Sequence, residues 1–262
     1  MSHSSPSRKR VIITGGLGFI GSNLAKICVH KGMDVIIYDN LDPHSGGNLF
    51  NIDSIKSHVQ LIIGDIRDYE RLADLVINAD IIINCAACSS HPYSMSEPWF
   101  NLDVNSRGVI NLLEAAKKVN PEVSLVHVGT TTQCGILNYQ PADEYHSEYP
   151  TDIYSANKSV SEKYVLIYAK AFGLRASVVR LPNTYGPRAA IHSPEFSFNN
   201  YFIGLALQHK SIRVYKPGTQ MRNILYVDDA AEAILLAALS DKTKGQTYLA
   251  VADEHFSVKH IA

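Results

Sequence analysis

The sequence predicts an α/β fold in which a doubly wound parallel sheet is joined to a smaller C-terminal lobe. Three observations carry this. Short β-branched runs alternate with helical patterns, which is the signature of parallel strands joined by crossover helices. Several of those runs are apolar at nearly every position, as strands covered on both faces must be. The first run also passes directly into a glycine-rich turn. With 262 residues, 46% of them hydrophobic, the chain can build one large domain, or a main domain with a lesser one, around a sizeable core.

Taken in order, the strands fall at Val11–Thr14, Val35–Tyr38, Gln60–Ile63, Ile81–Asn84, Ser124–Val128 and Ser177–Leu181. Helical patterns cover Gly18–Lys31, Tyr69–Ile77, Pro98–Val119 and Asp152–Phe172. The third must stop before Asn120-Pro121, because proline removes a donor and restricts the residue ahead of it. After Pro182 the pattern loosens. A loop rich in Gly, Pro and Ser runs from Gly186 to Ser197, followed by a helix at Phe198–Gln208. Short strands are expected near Arg213–Tyr215 and Asn223–Tyr226, and a helix from Asp228. The expected organisation is a flexible leader at 1–9, a main sheet domain at 10–182, and a lobe at 183–262 closing over the carboxyl edge of the sheet, where ligands bind in such folds.

Composition excludes several classes of function. The 24 Lys and Arg residues balance 25 Asp and Glu, so no broad basic field exists to hold a nucleic acid. Nothing approaches the ~18 consecutive apolar residues of a membrane span. Four cysteines in a chain of this length make no disulfide framework, which points to a reducing, cytoplasmic setting. Cys85 and Cys88 have C-x-x-C spacing, but a zinc site needs further ligands and no second pair exists. They read as small core residues, and the expected chemistry is metal-free.

The turn after the first strand reads Thr14-Gly-Gly-Leu-Gly-Phe-Ile-Gly21. Gly16, Gly18 and Gly21 satisfy G-x-G-x-x-G, and Gly15, Gly18 and Gly21 a looser G-x-x-G-x-x-G. A pyrophosphate must approach the backbone closely at a helix N-terminus, where free N–H groups and the dipole favour an anion and a Cβ would obstruct it. About twenty residues on, Tyr38-Asp39-Asn40 closes the second strand. A carboxylate there accepts hydrogen bonds from the adenosine ribose and repels a 2′-phosphate, so NAD is favoured over NADP.

Among fourteen tyrosines only Tyr154 has a lysine, Lys158, four residues later, a spacing that puts both on one helix face. A free phenol has a pKa of about 10, and bringing it to neutrality takes about 4 kcal/mol. An ammonium ~5 Å away at an effective dielectric of ~20 supplies roughly 3 kcal/mol. The positive ring of oxidised NAD would supply the remainder.

Together these residues resemble the extended short-chain dehydrogenase/reductase superfamily, in its nucleotide-sugar epimerase and dehydratase branch, over almost the whole chain. The resemblance implies a Rossmann-type sheet and a site filled residue by residue. Gly15, Gly18, Phe19, Ile20 and Gly21 take the pyrophosphate; Asp39 and Asn40 lie at the ribose. In Gly64-Asp-Ile-Arg-Asp68, Asp65 and Ile66 flank the adenine. Asn84-Cys-Ala-Ala87 replaces the usual His-x-Ala-Ala and places Ala86 and Ala87 along the cofactor. Asn105, in Asn105-Ser-Arg-Gly108, steadies the sheet beside it. Thr130 falls at the catalytic hydroxyl position, Tyr154 is the base, and Lys158 holds the nicotinamide ribose.

For the substrate, the resemblance assigns Asn183, in Arg180-Leu-Pro-Asn-Thr-Tyr-Gly-Pro-Arg188, and Arg222 to a nucleoside diphosphate, an arginine fork suiting that group by shape and charge. Tyr215 packs on the base, Ser94 belongs to the substrate loop of the epimerases, and Ser89 lies in a Ser/Pro-rich stretch similar to that of the uronate decarboxylases. There are departures. The 4,6-dehydratases follow the catalytic Thr with Asp-Glu, where this chain has Thr131 and Thr132, so dehydration is disfavoured; no decarboxylase glutamate is present at Thr132-Gln133 either. The expectation is an NAD-dependent epimerase of a nucleoside-diphosphate sugar, acting at C4 through a keto-sugar. Its rivals are a 2-epimerase, decarboxylase, dehydratase or reductase, or a non-catalytic NAD-binding protein. A homodimer is expected by analogy, and the family usually continues past Ala262, so a C-terminal truncation is expected as well.

Overall fold

The computed structural model describes residues 8–262. The expected leader therefore lies outside the described residues except for Arg8 and Lys9, which are exposed. The first half of the chain runs β1 (Arg10–Thr14), α1 (Phe19–His30), β2 (Asp34–Asp39), a 3-10 helix (Leu49–His58), β3 (Val59–Ile63), α2 (Tyr69–Val76), β4 (Ile81–Asn84), α3 (His91–Ser96), α4 (Pro98–Leu102), a π-helical turn (Asp103–Arg107) and α5 (Gly108–Val119). The second half runs β5 (Ser124–Thr130), a 3-10 turn (Thr131–Cys134), α6 (Ile153–Ala171), β6 (Arg175–Leu181), β7 (Asn183–Tyr185), α7 (Phe198–Leu207), β8 (Met221–Tyr226), α8 (Val227–Leu239), β9 (Thr247–Leu249), β10 (His255–Ser257) and α9 (Val258–Ile261).

The large sheet has seven strands in the order β3-β2-β1-β4-β5-β6-β9, and every pairing in it is parallel. This is the Rossmann-type doubly wound order, with its switch point between β1 and β4. Alternation along each strand explains why both faces are dry. Val11 and Ile13 pack with Leu24 and Cys28 of α1 and with Ile234 and Leu235 of α8. Ile12, pointing the other way, packs with Leu72 of α2, Leu112 and Leu113 of α5, and Val165 of α6. Fully burying each such side chain contributes about 1.5–3 kcal/mol, which is why the strands read as unbroken apolar runs.

Three expectations change. The segment 183–262 does not stay together: β7, β8 and β10 form a three-stranded sheet, whereas β9 pairs with β6 and α8 packs against the core beside α1. Arg213–Tyr215 is irregular rather than a strand; β8 takes β7 and β10 as neighbours, and a short run without a ladder partner has no reason to stay extended. The helical stretch Pro98–Val119 is interrupted by its π turn, at the point where the Asn105 and Ser106 side chains turn aside to bond Cys88 and Asn157.

Candidate active site

The carboxyl ends of β1, β2, β4, β5 and β6 open into one continuous cleft. Its two halves share Gly15, Gly18, Ser45, Cys85 and Ala87, and the larger half encloses about 1250 Å³ including its open mouth.

In the smaller half the glycine turn is a backbone cradle. Gly15 has φ +66°, and a Cβ on it would come 2.6 Å from the Ala86 nitrogen. A Cβ on Gly21 would come 2.8 Å from Gly16 Cα and closer still to the Gly15 carbonyl. At Gly18 only the Gly15 oxygen, at 3.2 Å, is near, so that position faces open space. No side chain caps α1, and the N–H groups of its first turn, from Phe19 onwards, remain for an anion.

Asp39, nearly buried, accepts from the Leu17 and Leu41 N–H groups at 3.0 and 2.8 Å. Burial raises its pKa above the ordinary carboxylate value, and these two bonds partly offset that. Asn40 donates to Asp65 at 2.9 Å. Arg67 grips the same carboxylate with Nε and Nη2 at 2.9 and 2.7 Å and holds it down at a pKa of about 2. The Arg67 guanidinium also lies 5.0 Å over the Phe100 ring, which lines this half with Ile66, Ala86 and Val104. An anion-ready helix end, a carboxylate at the close of β2 and an apolar wall fit a dinucleotide.

Thr130, Tyr154, Lys158, Asn183 and Ser89 all line the larger half, as do Phe19 and Ile20. Tyr154 and Lys158 reach it from the first turns of α6, whose N-terminus is fixed by Asp152 accepting from the Ser155 N–H at 2.8 Å. Lys158 is 3% exposed; its Nζ donates to the Val128 carbonyl at 2.6 Å and lies 3.1 Å from His127 Nε2. His127 is fully buried, and burial, then the lysine charge, hold its pKa well below the ordinary value. Asn84 bonds the other ring nitrogen at 2.9 Å and accepts from Thr14 at 2.6 Å. Lys158 thus ends a polar line crossing β1, β4 and β5.

Lys158 is not among the groups that lower the Tyr154 pKa here. Burial, followed by the charges of Asp152 and Cys88, pushes the phenol well above its ordinary value, and only the Thr130 hydroxyl pulls it down. The ammonium is committed to the Val128 carbonyl, and burial brings its own pKa to about 8.

Four expected site residues stand outside the cleft walls. Ser94 is fully buried; its Oγ accepts from the Tyr154 N–H at 3.1 Å and donates to the His91 carbonyl at 2.7 Å, so in this structure it fixes the start of α6 at Tyr154 and does not face the cleft. Asn105, also buried, grips Cys88 through both its N–H and its carbonyl at 3.0 Å and acts through that backbone. Tyr215 is 81% exposed, and Arg222, exposed as well, bonds only the Met221 carbonyl at 2.8 Å. The sequence reading in turn missed His91, which lines the larger half, pairs with Asp152 at 2.9 Å and meets the Tyr154 ring edge-on at 4.9 Å. It also missed His127, whose sequence signal is a lone imidazole inside an apolar strand.

Comparison with known proteins agrees with this geometry. Residues 11–250 match the NAD dependent epimerase/dehydratase family. The chain is 32% identical over 230 residues to a Methanocaldococcus jannaschii protein named for a proposed UDP-glucose 4-epimerase activity, covering 87% of this chain and 72% of that one. It is 31% identical over 258 residues to the UDP-N-acetyl-alpha-D-glucosaminuronate decarboxylase of Bacillus cytotoxicus, covering 97% and 78%. A solved structure of Thermus thermophilus UDP-glucose 4-epimerase in complex with NAD superposes with a TM-score of 0.84 at 27% identity, covering 96% of this chain and 80% of that one. NAD is the dinucleotide that the cradle serves, and the chain belongs to the NAD-dependent epimerase/dehydratase family.

Proposed function

We propose that this chain is an epimerase of a nucleoside-diphosphate sugar, acting at C4 of the sugar through a keto intermediate. The observation that carries this reading is the make-up of the larger half of the cleft. Thr130, Tyr154 and Lys158 converge there, and among the described residues none of those lining it bears a carboxyl group. Removal and return of one hydride requires a hydroxyl, a phenol and a cofactor. Elimination of water from a sugar also requires an acid and a base placed for a second carbon, and Thr131 and Thr132 stand where the resembled dehydratases carry Asp-Glu.

Bound NAD would supply the hydride acceptor and, when oxidised, a positive charge that favours the phenolate. Thr130 Oγ1 holds the sugar oxygen while Tyr154 takes its proton. Lys158, anchored on the Val128 carbonyl, would hold the nicotinamide ribose. Asn183, in the cleft wall, would take the diphosphate, and Tyr215 and Arg222, both exposed, would meet the base and phosphates from outside it. The assembly is proposed to be a homodimer formed through α4, α5 and α6, because Trp99, Leu102, Val160, Ile167 and Phe172 on or next to those helices are exposed and such patches call for cover. A monomer in sedimentation velocity would remove that part.

A panel of UDP-, CDP-, GDP- and dTDP-sugars tests the reaction. An epimer forms with no net NADH, and Tyr154→Phe lowers the rate by roughly 10²–10⁴-fold. Carbon dioxide release, accumulation of NADH, or full activity in Tyr154→Phe would each refute it.

A further inference from the structure

At the adenine end of the smaller half of the cleft, the acceptor beside the base is already used up. With the phosphates at the start of α1 and a ribose at Asp39, which closes β2, the adenine falls at the next strand out, β3, about 5 Å further along the sheet edge. Asp65 and Ile66, just past that strand, line the cleft there with Phe100, Val104 and Ala86. Asp65 is the acceptor this position offers to an adenine 6-amino group.

Its oxygens are fully engaged. Oδ1 accepts from the Arg67 N–H at 2.8 Å and from Arg67 Nε at 2.9 Å, while Oδ2 accepts from Arg67 Nη2 at 2.7 Å and from Asn40 Nδ2 at 2.9 Å. The Asp65 carbonyl takes the Tyr38 hydroxyl at 2.9 Å and the Asp68 N–H at 3.0 Å. A carboxylate offers about four lone-pair sites and a carbonyl two, so this residue has none left for a base. The Arg67 bonds hold the carboxyl at a pKa of about 2, and an ionised carboxylate cannot donate to a ring nitrogen either.

We propose that Arg67 and Asn40 withhold Asp65 from the cofactor, so that the site grips the adenine by its faces and leaves the 6-amino group unread. A dinucleotide whose purine lacks that group is then as good a ligand as NAD. Nothing in this depends on Tyr154 or on the sugar. The faces are supplied by Ile66 and Val104, both buried, and by Phe100, whose ring lies 5.0 Å from the Arg67 guanidinium. Arg67 is not among the residues lining this half, so it is a positioning residue that acts through Asp65 and Phe100. An arginine fork engages both carboxylate oxygens at once, where a lysine would leave a lone pair open.

Calorimetric titration of the ligand-free full chain with NAD and with nicotinamide purine dinucleotide, in which hydrogen replaces the 6-amino group, tests this. Wild type is expected to bind the two within about three-fold of each other; a larger preference for NAD overturns the proposal. Arg67→Met removes two of the four donors, and a hydrogen bond from the amino group to the freed carboxylate should then favour NAD by roughly ten- to a hundred-fold. Asn40→Ala frees one lone pair and keeps the ion pair, so it should move the ratio the same way, and it carries the test if Arg67→Met does not fold. Adding Asp65→Ala to Arg67→Met should bring the ratio back within three-fold. Loosened packing weakens both ligands alike, so the ratio separates recognition from a structural role. An unchanged ratio in the single variants overturns the part given to Arg67 and Asn40, and a preference for NAD that persists in the double variant overturns the part given to Asp65.

Discussion

Replacing Gly18 with alanine separates cofactor binding from folding more cleanly than any other change in the cleft. Gly18 caps α1 with φ −76° and ψ −179°, an extended conformation that alanine adopts without strain. Its new Cβ would meet only the Gly15 oxygen at 3.2 Å, so the fold should lose no more than about 1 kcal/mol, the ordinary difference between glycine and alanine at a helix cap. In a domain of this size that moves the melting temperature by roughly 2–4 °C. The methyl group, however, enters the cleft beside the free N–H groups, at a residue lining both halves. Forcing an extra carbon into a close contact costs about 1–3 kcal/mol, and NAD should bind roughly 10–100-fold more weakly. Gly21→Ala is the counterpart, because its Cβ meets backbone at Gly15 and Gly16 and should destabilise the fold itself. Calorimetric titration with NAD beside thermal melts of the ligand-free protein reads both quantities. Wild-type NAD affinity in Gly18→Ala would refute the placement of the phosphates on this helix end.

Arg180 is 2% exposed and bonds Glu162, itself 1% exposed, through Nε and Nη2 at 2.8 and 2.6 Å. The same guanidinium holds Glu148 at 2.8 Å, so Arg180→Met leaves Glu162 with Lys163, at 3.7 Å, as its nearest cation and should cost about 3–5 kcal/mol in denaturant unfolding, whereas adding Glu162→Leu should recover part of it; an unshifted midpoint in the single variant refutes the pairing. Lys158 drops from an ordinary 10.5 to about 8 on burial, so between those values the unfolded chain holds one more proton than the folded one. Stability contributed by this group therefore rises with pH across the window, by roughly 3 kcal/mol in all. Lys158→Met should flatten the rise in unfolding free energy measured from pH 8 upwards, and an identical slope in both proteins refutes the assignment.

Local rules made the scaffold legible. Val11, Ile12 and Ile13 are apolar in succession because helices cover both faces of β1, and this alone sets that strand inside a parallel sheet. The glycine turn and Asp39 were legible for the same reason: each answers a constraint confined to a few consecutive residues, a close backbone approach or a strand end. The i, i+4 spacing put Tyr154 and Lys158 on one face of α6, and both do line the cleft. What that spacing does not encode is the partner each side chain finds. Lys158 donates to Val128 and lies against His127, thirty and thirty-one residues away. His91 finds Asp152 across sixty-one. Ser94, read from the resemblance as a sugar contact, gives its oxygen to the Tyr154 N–H across sixty.

Each of those pairs joins α6 or its N-cap to α3 or to the end of β5 at the carboxyl edge of the sheet, where separate crossover units meet and no single stretch of sequence carries the pattern. A parallel sheet therefore leaves two kinds of trace. Burial writes its period into every strand, whereas the site is written only in the register between strands: Thr14, Asn84 and His127 lie side by side across β1, β4 and β5 because apolar residues below them fix the alignment. A slip of one residue in β5 would turn His127 to the opposite face, detach Lys158 from its anchor and misplace Thr130 together with it. The site depends on the core in this direct sense: the isoleucines of β4 and the valine and leucine opposite them hold the line of polar groups that ends at Lys158.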